Sequence, residues 1–253
     1  MRHEIHSFTA FAVRARFLRA HPRWALAAGC GLAFLSAAVN ACFLVRLGTS
    51  VGHLTGDVSR VAVEIASSQA GIHRSVSNLL AATLGFLTGA ASAGFYIHHP
   101  NMELARPYGR SIIVIGLCLG VSHFMLPQHP SYAVGITAFA CGLQNALATL
   151  YKGIVLRTTH LTGLLTDLGS NVGLRLRGHR IKTRRITVPL LLVFSFFAGA
   201  ATGSALILSG NKQALLMIAG TYLTGGLGWS LMKYWLLSKI RKRARRSVGS
   251  AKV

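Results

Sequence analysis

Long stretches of this chain contain no Asp, Glu, Lys or Arg, among them Trp24 to Val45, Ser111 to Tyr151 and Ile186 to Asn211. Uncharged apolar runs of roughly 20 residues or more are long enough to cross the ~30 Å hydrocarbon layer of a bilayer as a helix. In that layer a backbone must satisfy its own amides and carbonyls, so such runs leave few options besides spanning helices. The other composition signal is lopsided charge. The 253 residues carry 27 Lys+Arg and 5 Asp+Glu, a net charge of +22, while only 13% are charged at all. A soluble domain carries about 25% charged residues. A basic nucleic-acid-binding module has no use for the uncharged runs, so nucleic acid is excluded as a partner and the lipid bilayer takes its place.

The runs and their breaks predict an all-α polytopic membrane protein with about six helices, near 24–47, 78–98, 111–126, 131–151, 186–208 and 214–237. A first apolar run that begins only at Trp24 is too long for the apolar core of a cleavable signal peptide and is expected to be the first span. Pro127 and Pro130 set a tight turn between the third and fourth helices. Basic residues fix the expected orientation. With the amino terminus inside, 23 of the 27 Lys and Arg fall in cytoplasmic segments, and four (Arg46, Arg60, Arg74 and Lys212) fall outside. The positive-inside rule therefore places both termini in the cytoplasm. Residues 1–23 and 238–253 are expected as basic tails, and Lys239, Arg241, Lys242, Arg243, Arg245 and Arg246 could add binding to anionic lipid.

The chain also repeats itself. His53-Leu54-Thr55-Gly56 follows the first helix and His160-Leu161-Thr162-Gly163 follows the fourth, with Asp57 and Asp167 close behind. Asn40-Ala41 pairs with Asn145-Ala146, and Thr88-Gly89-Ala90-Ala91 with Ala198-Gly199-Ala200-Ala201, all at an offset near 107 residues. The repeats are 24–126 and 131–237, with three spans each. An odd number of spans reverses the second copy, giving the inverted repeat found in many secondary transporters. In those proteins a site lies between the repeats, where helices break. The glycines of the segment from Gly48 to Gly56 permit such a break, and Thr55 or Asp57 can cap a restarted helix.

Gln144-Asn145-Ala146 and the run from Arg157 through Thr158, Thr159 and His160 to Gly169 resemble the signature of the YoaK-like family, domain of unknown function 1275. The first copy resembles that family's Met-Thr-Gly-Asn element, with Leu54 and Asp57 in place of Met and Asn. The resemblance spans about Trp24 to Lys239. It implies a bacterial inner-membrane protein of roughly six helices, with no established activity.

Candidate substrate-binding residues are Asn40, His53, Thr55, Gly56, Asp57, Asn145, His160, Thr162, Gly163 and Asp167. Ionisable groups at membrane depth are costly and tend to be functional. The competing readings are plain ones: Asp57 and Asp167 as helix caps or partners of Arg60 and Arg157, the histidines as hydrogen-bonding groups ordering the motif, and the asparagines as glue between helices. Arg60 and Glu64 are spaced for an ion pair on one helix face. His98 and His99 point apart by adjacency, and His123 reads as a packing residue. Glycines four apart, Gly85 and Gly89, Gly116 and Gly120, Gly199 and Gly203, allow close helix packing. Cys30, Cys42, Cys118 and Cys141 lie in apolar runs without metal spacing, so neither disulfide nor metal is expected. Enzyme motifs such as HExxH or a phosphate-binding glycine loop are missing from the sequence, and neither an enzyme nor a cofactor is expected. The sequence thus points to a secondary transporter or permease for a small polar or anionic solute. The alternative is a non-transporting membrane scaffold or lipid-interacting protein.

Overall fold

The computed structural model describes residues 22–67, 72–96, 108–147, 150–151, 154–155 and 160–250. In chain order these form α1 (Pro22–Leu47), α2 (Leu54–Ala66), α3 (Ile72–Tyr96), α4 (Tyr108–Met125), α5 (Pro130–Ala146), a two-residue antiparallel pairing of β1 (Leu150–Tyr151) with β2 (Ile154–Val155), α6 (Leu161–Leu176), α7 (Arg184–Leu208) and α8 (Ala214–Ser250). Five helices, α1, α3, α4, α7 and α8, are long and apolar enough to cross a membrane. The fourth expected span is α5, with 17 residues, about 25 Å at the α-helical rise. It ends at Ala146, five residues before the expected Tyr151. The polar segments expected after the first and fourth spans each contain a further helix, α2 and α6.

The apolar core is centred on α1 and α5. Ser36 through Phe43 of α1 are all buried, as is Thr137 with most of the later part of α5. The principal packed pairs are α3 with α5, α1 with α7 and α4 with α8; α4 also packs on α5, α2 on α3 and α6 on α7. Glycines set the first two contacts. A Cβ on Gly85 or Gly89 would run into the carbonyls of Gly135 and Phe139, and one on Gly142 into that of Phe86. In the other pair, a Cβ on Gly199 or Gly203 would meet the carbonyls of Phe34 and Ala38. Both interfaces advance in the same chain direction, so α3 and α5 run parallel, as do α1 and α7. In α4 and α8 the order is opposed: Gly109 faces Gly226, and Gly116 faces Ala219 and Leu223. Gly120, expected to share the Gly116 contact, has open space around it.

Candidate functional site

The site begins where α1 ends. Gly48 adopts φ +63°, a left-handed conformation that glycine takes without a Cβ penalty, and the chain then turns back on itself. Thr49, Ser50 and Val51 are buried although their backbone is not helical. Buried amides need acceptors, and here side chains supply them. Asn40 Oδ1 accepts from the amides of Val51 (3.0 Å) and Gly52 (3.1 Å). Asp57 Oδ2 accepts from the amide of Ser50 (2.7 Å), and Ser50 Oγ accepts from the amide of His53 (3.2 Å). The Arg60 guanidinium donates to the Gly48 carbonyl, pairs with Asp57 (3.3 Å) and reaches Glu64 (3.7 Å). Asn78 of α3 donates to Thr49 Oγ1 (3.4 Å) and accepts from Ser131 of α5 (2.8 Å). A single polar network therefore ties the break to α1, α2, α3 and α5.

The break points inward. Asn40 lies seven residues before the end of α1, about 10 Å back along the axis, and it holds Val51 and Gly52 at that level. A Cβ on Gly52 would lie 3.9 Å from Cys141 in α5. The His53 ring packs edge-on against Phe196, centroids 5.1 Å apart, and Phe196 lies midway along α7. The amino end of α2 thus sits deep in the bundle. His53 is its N-cap residue and makes no side-chain capping bond.

The second copy has the same outline with different chemistry. His160 is the N-cap residue of α6, again without a side-chain capping bond, and its ring folds over Gly163 closely enough that a Cβ there would collide with it. By contrast, Gly56 has open space. In both copies the hydroxyl six residues after the histidine bonds back to the threonine of the motif: Ser59 to the Thr55 carbonyl (3.3 Å) and Thr166 to the Thr162 carbonyl (3.0 Å). Register on the histidines places Leu164, not Asp167, opposite Asp57. Leu164 is buried against Ala33, Val188 and Leu192. Asp167 occupies the position of Arg60 and is exposed, and among the described residues its carboxylate has no ion-pair partner; its carbonyl accepts from Asn171 (2.6 Å). The expected equivalence of Asp57 and Asp167 is therefore corrected. One is a buried structural acceptor, and the other lies three residues further on, along an exposed face. Asn145 is half-buried at the end of α5. Arg157, the expected partner of Asp167, lies outside the described residues, as do His98 and His99 and the tail of residues 1–21.

His53 lies within electrostatic range of His160, so the amino ends of α2 and α6 are turned toward the same region. Thr55, Gly56 and Thr162, in the first turns of these helices, are exposed. A helix amino end offers unpaired amides and a partial positive charge. Two such ends brought together can accommodate a negative or strongly polar group. Among the described residues no cluster of His, Cys, Asp and Glu could hold a metal ion. Sequence reasoning missed Asn78, Ser131 and Phe196. The first two are polar residues within the first two turns of apolar helices, a signal that could have marked them; Phe196 looks like any lipid-facing aromatic until the fold places it.

The sequence matches the family described as protein of unknown function DUF1275 over residues 7–227. The chain belongs to that family. The DUF1275 match includes both His-Leu-Thr-Gly copies and every element from α1 to α7. No curated protein and no solved structure matches the chain.

Proposed function

We propose that this DUF1275 protein is a permease of the bacterial inner membrane, moving a small polar or anionic solute between two inverted repeats. Six spans, α1, α3, α4, α5, α7 and α8, cross with both termini in the cytoplasm, and α2 and α6 are half-helices that start near mid-depth and run outward to opposite faces. The observation that carries the reading is the seating of the α2 amino end at mid-depth, where His53 packs on Phe196 halfway along α7, within electrostatic range of His160 at the amino end of α6. Broken helices whose amino ends meet at mid-depth are how several transporter folds bind anionic groups. The packing supports the repeat. Exchanging the halves turns the Gly89–Phe139 contact into the Gly199–Phe34 contact, and it turns the α3–α5 pair into α7–α1 while α4–α8 maps on itself.

The test is solute flux into proteoliposomes, followed by light scattering after an osmotic step with potassium formate, potassium chloride, urea or glycerol. At least one solute should enter faster than in protein-free vesicles. Gly56→Trp, which fills open space at the amino end of α2, should slow that entry without loss of folded protein. Entry no faster than in protein-free vesicles for all four solutes would favour the non-transporting scaffold instead.

A further inference from the structure

The connection between α6 and α7 is a folded, strongly cationic surface that the permease reading leaves unused. α6 ends in a closed turn: Gly178 takes φ +92°, the His179 amide bonds the Leu174 carbonyl (3.0 Å) and the Gly178 amide bonds the Arg175 carbonyl (3.1 Å). This is the Schellman pattern, which needs a left-handed residue after the helix. The Ile181 amide then bonds the His179 carbonyl (2.9 Å), and the Arg185 amide bonds the Lys182 carbonyl (2.8 Å). On this ordered turn sit Arg175, Arg177, Arg180, Lys182, Arg184 and Arg185, all exposed. The ion pairs of the described residues are those of Arg60 with Asp57 and Glu64, so none of the six has an acidic partner among the described residues. Topogenic charge requires only that cations be present in a loop; it does not require them to be held on a hydrogen-bonded turn.

Position and interleaving narrow the partner. The uncharged stretch of α7 begins at Ile186, directly after Arg185, which puts the turn at the membrane–water boundary. Leu174 and Leu176 alternate with Arg175 and Arg177, and Leu176 is 84% exposed. Apolar side chains beside arginine forks suit a surface where acyl chains adjoin phosphate oxygens. Lipid headgroups lie within reach of this turn, and free phosphate offers nothing for the leucines. We propose that the α6–α7 turn is a binding site for the phosphate headgroups of anionic phospholipid.

The test uses the full chain in neutral detergent, comparing thermal unfolding with added phosphatidylglycerol, phosphatidylcholine or inorganic phosphate. Phosphatidylglycerol alone should raise the unfolding temperature, and more than half of that rise should disappear in Arg177→Gln/Arg180→Gln/Lys182→Gln. Lys212→Gln, in the turn between α7 and α8, should keep it. Should the triple variant not fold, Arg177→Lys/Arg180→Lys holds the charge but removes the bidentate fork, and it should lose part of the rise. An equal rise in the altered and unaltered proteins overturns the proposal, as does a rise with inorganic phosphate matching that with lipid. Protection by an oligonucleotide exceeding that by lipid would assign the turn to nucleic acid and likewise overturn it.

Discussion

Four residues after the histidine, the first copy of the motif has Asp57, 6% exposed and bonded to the Ser50 amide, and the second has Leu164, 5% exposed and packed on Ala33, Val188 and Leu192. The two positions are buried alike and solved in opposite ways. In the first copy the chain leaves α1 and doubles back within six residues, so its buried amides need acceptors close at hand, and Asn40 and Asp57 provide them. In the second copy the chain takes the longer stretch 147–160, which includes the β1–β2 pairing, to reach the helix. There α6 is held on α7 by apolar contact. Similar tetrapeptides therefore need not do similar work. The shared part is the helix start, and the anchoring is local to each copy.

The contrast can be broken most severely by giving the second copy the first copy's residue. Leu164→Asp places a carboxylate in an apolar cluster that offers it no counter-charge. The cost should be about 3–5 kcal/mol, comparable with an uncompensated buried charge, and loss of folded protein in detergent extracts would show it. Full retention of stability would mean that water reaches Leu164. The reverse exchange, Asp57→Leu, removes the Ser50 acceptor and one Arg60 partner, while Gly48 and Glu64 still hold the guanidinium. About 2–3 kcal/mol should be lost, from one orphaned buried donor and a weakened charged hydrogen bond. Asp57→Asn keeps an acceptor oxygen and should cost roughly half as much; parity between the two variants in denaturant or thermal unfolding would show that charge, not the hydrogen bond, matters here.

The smallest effect sharpens the comparison at the motif glycines. Gly56→Ala enters open space on a helix and should stabilise by up to about 1 kcal/mol through helix propensity. Gly163→Ala must push the His160 ring aside, so it should gain nothing or lose about 1 kcal/mol. A thermal-shift comparison of the two single variants reads the sign directly. Equal shifts would mean that His160 does not rest on Gly163.

Much of this was legible in advance because it is local. Apolar runs announce α1, α4 and α7, since a span is defined by the residues it contains. The duplicated histidine motif announces the starts of α2 and α6, because glycine and threonine near a helix start act within a few residues. Lys and Arg counts set the expected orientation for the same reason. The helix boundaries shifted only where the chain lacked a sharp signal, as at the end of α5.

What the tertiary structure alone decided is non-local. Two acidic residues close behind matching tetrapeptides looked equivalent, but their spacing differs by three residues, nearly one helical turn, which moves Asp167 onto an exposed face and leaves Leu164 facing the core. That Asn40 would cap the amides of Val51 and Gly52, or that Phe196 would meet His53, depends on chain segments 11, 12 and 143 residues apart. Sequence determines which groups a buried break will leave wanting, because every amide needs an acceptor. Only the packing of α1, α3, α5 and α7 determines which side chains stand close enough to supply one.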